Sequence, residues 1–201
     1  MAGDDLSILN QARKTLPGVE YLHDLINWSC DSAIAIDFWT DSGKTRHISY
    51  KLLGDLTSAL AQRIAETLRA AGASIEDAIV PVLISQSPEL YISWIAILKA
   101  GAAFCPIAID TPVERVKFIL QDVSASLVLT TARHETWLAE VAPDIAILAV
   151  SQSSSHSTSR STPLKGEDEV QKTALQPQSL AYIMYTSGQP DHSESHHLKQ
   201  S

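Results

Sequence analysis

Leu53, Leu56, Leu60, Ile64 and Leu68 recur at spacings of three and four residues, which sets them on one face of a helix. Ser49 stands where a side chain can cap its start, and Gly72 supplies a left-handed stop after Ala70-Ala71. Upstream, residues 21–28 read as a short helix. Residues 33–38 (AIAIDF) have strand length, 42–44 make a turn and 46–50 a returning strand. Downstream comes the apolar run 79–85 (IVPVLIS). Pro81 cannot donate to a ladder, so it predicts an edge position or a bulge. Ser87-Pro88 predicts a helix start, with a capping hydroxyl and proline at the first position, and the helix runs through Trp94 and Leu98 to Gly101. Residues 102–107 form a short buried strand. Thr111-Pro112 opens another helix. Glu114 lies three residues after Thr111, which predicts a capping box, and Val113, Val116, Ile119, Leu120 and Val123 form the apolar face. Residues 127–130 predict a strand, 134–141 a helix, and 145–150 and 180–185 (LAYIMY) two more strands.

Strands that are almost continuously apolar and alternate with helices indicate a parallel sheet covered on both faces. The expected fold is α/β: an open, mainly parallel, doubly wound sheet with right-handed crossovers. Composition divides the chain further. Residues 1–20 read as an extension and 21–188 as the folded domain. Within it, 151–179 is a polar loop rich in Ser, Thr, Gln and charge. Residues 189–201 carry no apolar face, so they are expected to be a disordered tail that packs against nothing.

A length of 201 residues fits one domain, at most two. The formal charge of −8 disfavours nucleic acid and anionic membrane surfaces as partners, and no Lys/Arg cluster offsets it. No run reaches the roughly 18 apolar residues of a membrane span. Residues 1–14 lack the basic-then-apolar layout of a signal peptide. Cys30 and Cys105 show no CxxC spacing, which suits a reducing compartment. The expected location is cytoplasmic.

Candidate chemistry gathers at Thr186-Ser187-Gly188, directly after the strand at 180–185. Ligands of α/β sheets collect at the carboxyl ends of strands, and hydroxyls with a glycine let backbone N–H groups approach a phosphate. A Ser-Gly turn alone is a common way to end a strand. The residues around it add weight. The stretch 180–188 (LAYIMYTSG) resembles the start of the phosphate loop of the AMP-forming ligase superfamily, L-A-Y-x-x-Y-T-S-G-[ST]-T-G-x-P-K-G. The stretch 98–107 (LKAGAAFCPI) resembles that family's L-K-A-G-x-A-[YF]-x-P-[IL] motif. Pro112, Glu114 and Arg115 match a P-x-E-R segment. Residues 48–53 (ISYKLL) resemble an opening T-Y-x-E-L motif, departing from it at Lys51 and Leu52. The matches come in family order and at family spacing, across roughly residues 22–188.

The resemblance is to amino-acid-adenylating domains of nonribosomal peptide synthetases, fungal siderophore synthetases included. It implies ATP with Mg as cofactor, and Thr186, Ser187 and Gly188 as contacts to the ATP phosphates. It also implies an amino-acid substrate and a phosphopantetheine carrier domain as partner. For Gly101, Pro106, Glu114 and Arg115 the reading is structural: helix stop, strand edge, helix cap and exposed helix face. No catalytic residue is carried over.

The chain departs from the pattern after Gly188, where it reads Gln189-Pro190-Asp191-His192-Ser193-Glu194. The second glycine and the lysine are absent, and Asp191 and Glu194 bring negative charge toward the triphosphate. The family's amino-acid pocket, ribose-binding acid and mobile C-terminal domain have no counterpart. The expectation is a truncated domain, inactive by itself, with residues 189–201 out-of-frame or intron-derived. Two alternatives stand beside it: a fragment of an acyl-CoA-synthetase-like ligase, and a non-catalytic stand-alone binding or regulatory protein. His192, His196 and His197 lie in the polar end without a scaffold for metal. Cys105 reads as a buried small hydrophobe.

Overall fold

The computed structural model describes residues 22–26, 31–40, 43–76, 78–151, 179–185 and 196–199. The expected extension at 1–20, most of the polar loop at 151–179, and Cys30 lie outside them.

The first described element is a 3-10 turn, Leu22–Leu25, inside the span 21–28 where the sequence predicts a short helix; residues 21, 27 and 28 lie outside the described residues. Strands β1 (Ile34–Trp39) and β2 (Thr45–Ser49) form an antiparallel pair of their own. Helix α1 (Tyr50–Ala70) follows at once. Its first N–H groups are all provided for. Ser49 Oγ accepts from Leu52 N, and the backbone N–H groups of Tyr50 and Lys51 donate to the carbonyls of Ala33 and Asp31.

The main sheet has six strands in the order β6-β5-β3-β4-β7-β8. They are β3 (Ile79–Leu83), β4 (Ala103–Pro106), β5 (Leu127–Thr130), β6 (Ala146–Ala149), β7 (Leu180–Met184) and β8 (His196–Lys199). The first five run parallel; β8 is antiparallel to β7. Helices α2 (Pro88–Ala100), α3 (Val113–Asp122) and α4 (Ala132–Val141) connect them.

Alternation along the strands feeds two cores. Val80, Val82, Leu127 and Leu129 join Leu60, Ile64 and Leu68 of α1 and Ile97 of α2. Leu83, Cys105 and Val128 point the other way, to Val116, Ile119 and Leu120 of α3 and Leu138 of α4. A period of two in the strands thus meets a period of 3.6 in helices on both faces.

Four expectations are corrected. Pro81 sits in the central strand, not at an edge. Val82 O accepts from Ile107 N, and Ala78 O from Ala103 N, on the β4 side. Alternation puts the proline nitrogen toward β5, where the register begins only at Val82↔Leu129. Ser87 is the N-cap of α2, but its hydroxyl caps nothing and is buried without a partner. The capping box at Thr111 does not form. The cap is Pro112, Thr111 N donates to Ala108 O, and Glu114 pairs instead with Lys117 at 3.3 Å. Residues 189–201 do not all stand clear of the fold, because His196–Lys199 pair with β7, Tyr182 opposite Leu198. An open strand edge offers unpaired N–H and C=O groups, and bonding to them requires no apolar side chain.

Candidate functional site at the end of the β7 strand

The loops after β3 and β4 lead to helices on opposite faces of the sheet, so the strand order reverses between these two neighbours. That switch point, at the carboxyl ends of the strands, is where α/β sheets open a ligand crevice. Strand β7 is the next neighbour of β4 and ends beside it. Thr186, Ser187 and Gly188 themselves lie outside the described residues. The structure describes the groups that bring the chain up to them.

A single register pair, Phe104↔Tyr182, joins β7 to β4. Side chains reinforce it from both faces. On the α2 face, Trp94 stacks on Phe104 (centroids 5.1 Å, 12° between planes) and Phe104 on Tyr182 (5.3 Å, 16°). On the other face, three residues of α3 take hold of Tyr185. Its hydroxyl donates a short hydrogen bond to Asp122 Oδ2. Its ring meets Phe118 edge-on at 6.4 Å, and the Arg115 guanidinium lies 5.5 Å from its centroid and 5.0 Å from that of Phe118. Such ring pairs and cation–π contacts add directional preference to plain burial.

The electrostatics follow from the packing. Burial, then the hydrogen bond to and charge of Asp122, raise the Tyr185 phenol above its ordinary range, and Arg115 opposes them only in part. Burial, with Asp122 second, pushes the Cys105 thiol up to about 12. The thiol therefore stays protonated and packs as a small apolar group, not as a nucleophile.

The remaining motif residues have structural roles. Gly101 ends α2 in the left-handed region at φ 93°, its N–H donating to Ile97 and Leu98 carbonyls. Lys99 Nζ reaches across to Thr57 Oγ1 at 2.8 Å and Ser58 Oγ at 3.3 Å, tying α2 to α1, and burial lowers its pKa. Arg115 is not on an exposed face as expected; it is half-buried against two rings. The Asp122 and Phe118 contacts with Tyr185 went unforeseen. Residues 115, 118 and 122 do share one helix face, but nothing local in the sequence points to a tyrosine 63 residues beyond Asp122.

A groove of about 460 Å³ opens between α3 and α4, lined by Lys117, Gln121, Ser124, Val141 and Asp144 among others. It lies beside the amino ends of β5 and β6, the wrong end of the sheet for the crevice above. Among the described residues no His, Cys, Asp or Glu cluster could hold a metal, and no helix is long and apolar enough to cross a membrane.

Comparison with known proteins fits this geometry. The model of the AMP-binding enzyme family matches residues 29–188, so the chain belongs to the AMP-binding enzyme family. Within it, the sequence is 40% identical over 187 residues to Nonribosomal peptide synthetase 2 of Cochliobolus heterostrophus, covering 91% of this chain and 3% of that protein. It is 29% identical over 177 residues to the hydroxamate-type ferrichrome siderophore peptide synthetase of Schizosaccharomyces pombe, covering 85% of this chain and 3% of that one. In structure it resembles the fatty acyl-adenylate ligase of L. pneumophila, solved with acyl adenylate and pyrophosphate. The TM-score is 0.70 at 20% identity, over 91% of this chain and 31% of that one, a likeness of fold. The chain thus spans only a few hundredths of the length of the synthetases it matches.

Proposed function

We propose that residues 21–188 form the first α/β subdomain of an amino-acid-adenylating domain of a nonribosomal peptide synthetase. In that reading Thr186, Ser187 and Gly188 meet the phosphates of ATP with its Mg. The whole domain joins an amino acid to AMP with release of pyrophosphate, then passes the aminoacyl group to a phosphopantetheine carrier domain, in the cytoplasm. The observation that carries the reading is the placement of β7. A strand bearing the family's sequence runs parallel beside β4 at the switch-point side of the sheet and delivers the chain to 186–188 at its carboxyl end. Hydroxyls and backbone N–H groups at such a strand end suit phosphate oxygens, which are strong acceptors.

A transplant tests it. Residues 29–188 of this chain replace the matching segment of a related fungal synthetase, and amino-acid-dependent exchange of pyrophosphate into ATP is measured. The expected outcome is exchange with the host's amino-acid preference, lost on Gly188→Asp. A chimera that folds, shown by a cooperative thermal transition, but exchanges no pyrophosphate would refute the reading.

A further inference from the structure

We infer that Arg115, Phe118 and Asp122 are positioning residues: together they hold Tyr185 and so fix where the chain leaves β7 for residues 186–188. The inference takes its purpose from the adenylation reading above, but it stands on geometry that does not depend on nucleotide.

Three observations support it. Strand β7 has one register pair to β4, so its backbone ladder is too short to set the direction of its last residue. Its other neighbour, β8, pairs at Leu180, Tyr182, Ile183 and Met184 and not at Tyr185. Among the described residues, what holds Tyr185 is therefore its side chain. That side chain is held in three directions: by a charged acceptor at the hydroxyl, a ring edge, and a cation at the face.

Next, all three groups project from α3 at positions i, i+3 and i+7, which is one face. That face lies beside the buried stripe of Val116, Ile119 and Leu120, so α3 is rigidly seated while it grips. The position of Tyr185 is thereby referred to the α3 core and not to the sheet edge.

The placement of Asp122 is the third observation. It is the last residue of α3, and that last turn has no basic residue. A carboxylate there opposes the helix dipole, so helix stability does not account for it. Among the described residues its carboxylate accepts from the Tyr185 hydroxyl, and a hydrogen bond to a charged acceptor is among the stronger ones.

The experiment is amide hydrogen exchange on the full chain, comparing the unaltered protein with Asp122→Ala and Asp122→Asn. The alanine variant loses the acceptor; the asparagine variant keeps an amide oxygen in its place. In the unaltered chain the amides of 186–188 are expected to exchange more slowly than those of an unstructured peptide. With Asp122→Ala they should exchange roughly tenfold faster, the effect of losing a hydrogen bond to a charged group. Amides in β3 and β5 should not change, and Asp122→Asn should recover part of the protection. Titration of the phenol by its ultraviolet absorbance reports the contact itself, since Asp122→Ala should bring Tyr185 down toward an ordinary tyrosine. Three results would overturn the inference: unprotected 186–188 in the unaltered chain, no change at 186–188 once the phenol has moved, or equal acceleration at 186–188 and in the sheet core. Pyrophosphate exchange by the chimera described above is measured separately. Loss of protection at 186–188 in Asp122→Ala, beside a folded chimera that exchanges no pyrophosphate, would leave the clamp standing and count against the adenylation reading.

Discussion

Asp122 acts on two acids at once. It adds to burial in raising the Cys105 thiol from an ordinary 9.0 to about 12, and in raising the Tyr185 phenol above its ordinary 10.0. Both groups hold their protons more tightly folded than unfolded. Where the folded state binds more protons, stability falls as pH rises. The thiol's contribution is thus complete below about pH 9 and lost on the way to about 12. Lys99 has the opposite sign. Its folded pKa is lowered by burial, so raising the pH toward 10.5 relieves a penalty and offsets part of the loss. We predict a thermal midpoint that declines steadily between pH 9 and 11. Cys105→Ala should be less stable at pH 7, from the space it leaves, yet decline less steeply; equal slopes for the two proteins would exclude the thiol as the cause. A second residue-scale case is Arg46, whose Nη1 lies 2.7 Å from Glu89 Oε1, with the glutamate side chain only 7% exposed and the arginine 31%. Removing one partner of a buried pair costs about 3–5 kcal/mol. The partial exposure of Arg46 puts Arg46→Ala at the low end of that range in urea unfolding. Arg46→Met combined with Glu89→Gln should lose less than Arg46→Ala alone, because no charge is then left stranded.

At the scale of elements, helix ends and sheet edges decide what the sequence makes legible. Gly101 was legible as a stop, and its φ of 93° explains why a side chain is unwelcome. Gly101→Ala should cost about 1–2 kcal/mol, the penalty for an L-residue in the left-handed region, with helical circular dichroism nearly unchanged. The edge at β7 gives a second prediction. Deleting residues 196–201 removes β8 and leaves the β7 edge open. An open edge recruits other chains, so the mass from light scattering should rise with concentration more steeply than for the full chain. The five parallel strands and the helices between them were legible because burial on both faces of a sheet imposes long apolar runs, and a helix imposes its period. Pro81 misled because a ladder's starting register is a tertiary fact. Ser87 and Thr111 misled because a hydroxyl in the right place still has to point at a free N–H. Strand β8 escaped notice because backbone pairing leaves no mark on side-chain pattern. The grip of α3 on Tyr185 escaped notice because it joins residues that the sequence keeps far apart.

For the molecule as a whole, the question is whether the strand end proposed to meet phosphate suffices for chemistry. The family match stops at residue 188, where the described fold has delivered β7 to the carboxyl side of the sheet. Adenylation requires the α-phosphate to be attacked in line while charge on the departing pyrophosphate is held by preorganised donors and cations. In the proposed reading, Thr186, Ser187 and Gly188 would offer a few hydrogen bonds to that charge. Removing even one well-placed donor from such a site typically costs about 100- to 1,000-fold in rate. Here the loop continues as Gln189-Pro190-Asp191-His192-Ser193-Glu194. It lacks the second glycine turn and the lysine that the family pattern implies, and its two carboxylates oppose the approach of a polyanion. Correct placement of two reactants can be worth about 7–11 kcal/mol, and a loop that repels the triphosphate forfeits part of that as well. We therefore predict no detectable exchange of pyrophosphate into ATP by this polypeptide with any proteinogenic amino acid or with hydroxylated ornithine. The transplanted chimera, which takes the host's family pattern from residue 189 onward, should by contrast show exchange. Reproducible exchange by the unaltered chain that disappears in Gly188→Asp would show that Asp191 and Glu194 lie clear of the triphosphate and that the three residues at the end of β7 are enough.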